Sequence, residues 1–252
     1  MNNFILLLVS LMASSCVISN MKVEENHLLN KQIGTKIKTS TPGNFEFISK
    51  DWRIVNFKQG AKGSWKAKTR DDYTITHKFD LDDNGYNDIT IEKDRFDLLL
   101  QNKKYDSHIS LLSIPLSTEE KAIDLRVFAR RIQENLAYTT FRSLNLRPDT
   151  KLVRSYATKR LNLQSRTFQG QPAVEMVLEI ANVNQLKLDP KHRLEQIRFL
   201  IVKSPNDWRI KAEKKRPQTN LPVILVAAHQ VNPEFVEETK KDFSDFINLI
   251  SL

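Results

Sequence analysis

Two short stretches of this sequence hold residue types whose spacing could do chemistry. The first runs Asp80-Leu81-Asp82-Asp83-Asn84-Gly85-Tyr86-Asn87-Asp88 and leads into Ile89-Thr90-Ile91. Counted from Asp80, oxygen-bearing side chains stand at the first, third, fifth and ninth places, with glycine at the sixth. Calcium is a hard ion that takes roughly six to eight oxygen ligands. Asp80, Asp82, Asn84 and Asp88 could supply side chains and Tyr86 its backbone carbonyl, while Gly85 permits the sharp turn. Ile91 stands where an EF-hand needs a carboxylate, so the loop is not an EF-hand. The same residues also read as a plain acidic turn, because DDNG between alternating strands is a sufficient hairpin signal. Both readings stay open from sequence.

The second stretch is N-terminal. Residues 4–13 (FILLLVSLMA) form an apolar run, and Ala13, Ser14 and Ser15 precede Cys16, the single cysteine. A lone cysteine makes no internal disulfide and no thiolate zinc site. As a helix the run rises about 15–22 Å, short of a hydrocarbon core of roughly 30 Å, so it reads as a removable export segment.

On these residues the N-terminus resembles a bacterial lipoprotein signal peptide, in which small or aliphatic residues precede a cysteine that is acylated and becomes the mature N-terminus. Ala13, Ser14, Ser15 and Cys16 occupy the four positions of that motif, with Ala13 where leucine is usual and no Lys or Arg in Met1-Asn2-Asn3. The resemblance implies a signal peptide over residues 1–15, palmitate-type acyl chains on Cys16, and a protein held to a membrane on its periplasmic or exterior side. Val17, which is not acidic, implies the outer membrane where the organism has two. The acidic loop is similar to the calcium loop of FG-GAP-type repeats, in which acidic residues at those places precede an apolar strand. Such loops come in several copies, and this chain has one.

Thirty-nine Lys and Arg against thirty Asp and Glu give a net charge of +9, which favours anionic surfaces. Export would leave lipid headgroups and acidic envelope polymers as partners and exclude nucleic acid. The densest basic cluster is Lys211, Lys214, Lys215 and Arg216. It could meet headgroups, although solvated loops are the common use of such clusters. Histidines 27, 77, 108, 192 and 229 lack metal-ligand spacing, and neither GxSxG, HExxH nor a glycine-rich phosphate loop occurs.

The elements that must position these residues follow from periodicity. Residues 16–44 are polar and read as a lipidated flexible tether, and 45–252 as a single domain. Strands are expected at 45–48 (FEFI), 52–57 (WRIVNF), 73–79, 89–92, 96–100 and 108–114. Ser117 and Glu120 form a capping box ahead of an amphipathic helix through Ala122, Leu125, Ala129, Ile132 and Leu136. Further strands are expected at 152–163, 167–183, 194–203, 208–213 and 223–231, with a turn at Gln169-Gly170. Asn232 caps a closing helix that carries Phe235, Thr239, Phe243, Phe246 and Ile250. The tetrapeptide DWRI recurs at 51–54 and 207–210, read as two strand starts with a tryptophan entering the core. Together these predict an α+β fold, an antiparallel β-sheet sandwich with both helices packed on one face. The order of elements over 45–252 resembles PsbP-like domains. The function expected is a non-enzymatic binding or structural module that meets an envelope protein or polymer. A lipid-anchored hydrolase without a local motif is the alternative.

Overall fold

The computed structural model describes residues 20–40, 45–59, 64–67, 74–79, 86, 89–138, 156–182, 194–210 and 219–252. In chain order the strands begin with β1 (Met21–Val23), β2 (His27–Asn30), β3 (Lys36–Lys38), β4 (Trp52–Ile54), β5 (Phe57–Gln59) and β6 (Trp65–Ala67). They continue with β7 (Thr74–Phe79), β8 (Ile89–Asp94), β9 (Leu98–Asn102) and β10 (Ser107–Pro115), and then comes helix α1 (Leu125–Tyr138). After it follow β11 (Tyr156–Phe168), β12 (Gln171–Asn182), β13 (Leu194–Lys203), β14 (Trp208–Ile210), β15 (Thr219–Leu221), β16 (Val223–Val231), helix α2 (Val236–Leu249) and β17 (Ile250–Ser251). Among the described residues the fold is mostly antiparallel β with two helices, as the α+β reading expects.

Seven strands form the main sheet, in the order β11-β12-β13-β16-β10-β9-β4. Its longest hairpin, β11–β12, closes through Gln169 and Gly170, whose φ angles are 47° and 78°. Two left-handed residues in succession give a turn whose twist matches that of the flanking strands. β16 is buried at every position except Gln230. Val223, Leu225 and Ala227 enter one core, while Ile224, Val226 and Ala228 enter the other. A strand buried on both faces needs cover on both. Leu125, Phe128, Ala129 and Leu136 of α1 close one side. Phe243, Phe246 and Ile247 of α2 close the other, together with Leu28, Ile37 and Ile250 of a small sheet. The two helices therefore lie on opposite faces of the main sheet, which corrects the expectation that both pack on one.

The small sheet has the order β1-β2-β3-β17 and corrects a second expectation. Over residues 21–38 the segment taken for a flexible tether is three paired strands, with Leu28 and Ile37 both 0% exposed. Leu28 pairs with Ile37, and Ile37 with Ile250 near the other end of the chain, so the segment's apolar residues meet partners far away in sequence.

Local differences have local causes. Residues 45–48 form no strand. Ile48 sits at φ 68°, and the Ser49 N–H donates to the Phe47 carbonyl at 2.9 Å, closing a three-residue turn. That conformation costs a β-branched residue about 1–3 kcal/mol, and burial of Phe45 and Phe47 just before it holds it in place. The Ser117–Glu120 capping box forms, each N–H donating to the other's side chain at 3.3 Å, but it caps a short 3-10 turn. α1 begins afterwards, where Asp124 accepts from the Arg126 and Val127 N–H groups. At the C-terminal helix the Asn232 side chain accepts from the Glu234 N–H at 3.0 Å, as the cap reading expects. Both DWRI copies start strands, and Trp52 and Trp208 are buried at 4% and 3% exposure.

Candidate functional site

The residues singled out in sequence mostly fall outside the described part of the chain. Cys16 does, as do Asp80, Asp82, Asn84 and Asp88, and the cluster Lys211, Lys214, Lys215 and Arg216. Tyr86 is described and is 78% exposed. The hairpins that carry both loops are present. Phe79 pairs with Ile89 across β7–β8, and Ile210 pairs with Thr219 across β14–β15.

What the fold brings together instead is a cluster around His229. This residue lies on β16, paired with Arg198 of β13 on one side and Ile109 of β10 on the other. It is 3% exposed. Its ring stacks on Phe243 of α2 at 5.6 Å and 19°, and meets Trp52 of β4 edge-on at 6.3 Å. Among the described residues its Nε2 has no hydrogen-bond partner. Burial in this aromatic pocket, with the Arg198 guanidinium adding to the effect, pushes the imidazole down to about 4. The Trp52 Nε1–H donates to Asp242 Oδ2 at 2.9 Å, and burial raises the Asp242 carboxyl although that hydrogen bond opposes it. A shallow depression of about 190 Å³ opens beside the cluster, lined by Gln196, Arg198, His229, Val231, Val236 and Lys240.

This geometry packs more than it reacts. A catalytic histidine is oriented by a partner and in turn touches a nucleophile or substrate. Here the nearby carboxylate is engaged with Trp52, and the imidazole stacks on Phe243 with Trp52 edge-on to it. Among the described residues no three His, Cys, Asp or Glu are grouped to hold a metal ion. A second buried network is structural. Asp97 accepts from Ser113 Oγ at 3.1 Å and from Asn30 Nδ2 at 3.4 Å, tying β2 of the small sheet to β10 of the main one.

No family model and no curated protein matches the chain. Among solved structures it is similar to cyanobacterial PsbP (CyanoP) from Synechocystis sp. PCC 6803, with a TM-score of 0.41 and 8% identity over 84% of this chain and 98% of that one. The similarity to PsbP-like domains is weak. Sequence reasoning missed the His229 cluster because positions 52, 198, 229, 242 and 243 have no common spacing. The apolar flanks of His229 in VILVAAHQV were the one available signal.

His229 predicts a pH dependence of stability. Its folded value of about 4 lies below the ordinary 6.5, so the unfolded chain binds the extra proton between those limits. The contribution is complete above pH 6.5 and is lost as pH falls toward 4. It amounts to about 3 kcal/mol, order of magnitude. Asp242 acts in the opposite sense, since a raised carboxyl gains stability as it protonates. Urea midpoints of wild type and His229→Phe between pH 7 and pH 4 should converge as the wild type weakens. Parallel curves would show that His229 contributes nothing to the acid limb.

Proposed function

We propose that this chain is an exported lipoprotein, acylated at Cys16, whose α+β domain serves as a non-enzymatic binding or structural module of the cell envelope. It faces the periplasm or exterior, on the outer membrane where the organism has two, and its partner is an envelope protein or polymer. The observation that carries the reading is positional. The only cysteine ends the apolar N-terminal run, and the first strand, β1, begins at Met21, directly after the four residues Val17, Ile18, Ser19 and Asn20. Uptake of labelled fatty acid by the wild type and not by Cys16→Ala tests the anchor.

We further propose that Asp80, Asp82, Asn84, Tyr86 and Asp88 hold one calcium ion at the tip of the β7–β8 hairpin. The sequence between the paired residues Phe79 and Ile89 carries all five of these positions. Extracellular modules bind calcium with dissociation constants of about 10⁻⁴ to 10⁻³ M, so millimolar ion should stabilise the domain by roughly 0.4–1.4 kcal/mol. Asp82→Ala and Asp88→Ala should each abolish the rise in Tm, and Asp94→Ala, outside the spacing, should keep it. Equal melting curves in chelator and in calcium would reduce the loop to a turn.

A further inference from the structure

The small sheet has a polar outer face with an uneven charge. Along β3 burial alternates, Thr35, Ile37 and Thr39 inward and Lys36 and Lys38 outward. The register sets Lys22, Leu29, Lys36 and Ser251 in one row across the four strands, with His27 beside Lys38 in the next. Lys31 stands exposed at the β2–β3 connection. Four lysines thus surround a half-buried leucine. Against them stand Glu24 and Glu25, and Glu24 is already engaged by Lys22 at 3.0 Å. The Lys22 hydrogen bond, helped by the charges of Lys22, His27 and Lys36, holds the Glu24 carboxyl below its ordinary range, as expected where cations outnumber anions. Lys31, Lys36 and Lys38 make no ion pair among the described residues.

The position of this face matters as much as its charge. A tether over residues 17–44 would have let the domain stand about 100 Å from the bilayer, far beyond a Debye length of roughly 8–10 Å. With β1 starting at Met21, an extended chain from Cys16 reaches at most about 18 Å. The strand nearest the anchor is the edge strand of the basic sheet.

We propose that the outer face of the small sheet, built from Lys22, Lys31, Lys36 and Lys38 around Leu29, docks on anionic lipid headgroups of the membrane that holds Cys16. This rests on the acylation reading. Lipid chains fix the protein to the bilayer, and the lysines fix its orientation, leaving α1, on the opposite face of the main sheet, directed away. Each near-surface lysine favours the headgroup layer by a factor of about five at moderate salt.

The test uses the full-chain protein, extracted from its membrane and reconstituted in vesicles of phosphatidylglycerol or of phosphatidylcholine. A membrane-impermeant amine reagent is followed at each lysine by mass spectrometry, with Lys240 and Lys241 of α2 as references. In phosphatidylglycerol, labelling of Lys22, Lys31, Lys36 and Lys38 should slow at least fivefold relative to the references, and half-molar salt should restore it. In phosphatidylcholine no slowing is expected. Lys31→Gln/Lys36→Gln/Lys38→Gln, at exposed positions that keep the fold, should lose protection at Lys22. Equal labelling in the two lipids overturns the proposal, and so does unchanged protection of Lys22 in the triple variant. The mass of the Cys16 peptide in the same digest separates the two readings. Acylated Cys16 with an unprotected face defeats only the docking, and unmodified Cys16 with a protected face defeats only the anchor.

Discussion

Cys16→Ala is expected to move the protein from the membrane fraction to the soluble fraction. One acyl chain gives a partition constant of only about 10⁴ M⁻¹, so stable attachment of a lipoprotein depends on several chains on one residue, each buried methylene adding about 0.8 kcal/mol. Removing the acylated sulfur removes all of them together. What remains is the apolar run at residues 4–13, too short for a hydrocarbon core of roughly 30 Å, and the basic face of the small sheet. Contact through lysines is screened at high salt, because the Debye length falls to about 3 Å at 1 M. The measurement is sedimentation of membranes after a high-salt wash, alongside incorporation of labelled fatty acid. A variant that still sediments, from a wild type that takes up no label, would end the lipoprotein reading.

Legibility in the sequence followed the range of the interactions. Strands β13 and β16 could be read to the residue, because LEQIRFLIVK and VILVAAHQV are rich in aliphatic and aromatic residues and bounded by turn formers. The same runs hold the clue to what was misread. Six consecutive apolar residues, Val223 to Ala228, do not alternate, and a strand of that kind is covered on both faces. Helices on opposite sides follow from it. The small sheet was illegible for a different reason. Its strands are two to four residues long, with two or fewer apolar residues in each facing the core, and what pairs with β3 lies at Ile250. Local propensity cannot report a partner two hundred residues away. The pattern Thr35-Lys36-Ile37-Lys38-Thr39 does alternate, but with threonine in two of its three inward positions it looks like a linker. The His229 cluster draws on β4, β13, β16 and α2, so its members are neighbours only once the sheet is built.

Leu28→Ala and Ile37→Ala decide between a tether and a fold. In a flexible tether both substitutions would be silent, since neither side chain would leave water on folding. In the structure both are 0% exposed, pair with each other across β2–β3, and pack into the core shared with Phe243, Phe246 and Leu100. Truncating a fully buried Leu or Ile to Ala costs about 2–5 kcal/mol, from lost transfer free energy and the cavity left behind. For a domain of this size, 1 kcal/mol lowers Tm by about 2–4 °C, so each variant should melt roughly 5–20 °C early. The two sites touch, and their costs should not add fully. Even so, the double variant removes a large share of a total stability of about 5–15 kcal/mol. Lys36→Ala, one residue from Ile37 on the exposed face, should stay within about 0.5 kcal/mol of wild type. Thermal melts of the wild type and the four variants, with limited proteolysis across residues 21–38, provide the comparison. If Ile37→Ala melts with the wild type and protease cuts within 21–38 before the main sheet opens, the small sheet does not exist in solution. The short leash from Cys16 would then be a long one, and the docking of the basic face would lose its geometric ground.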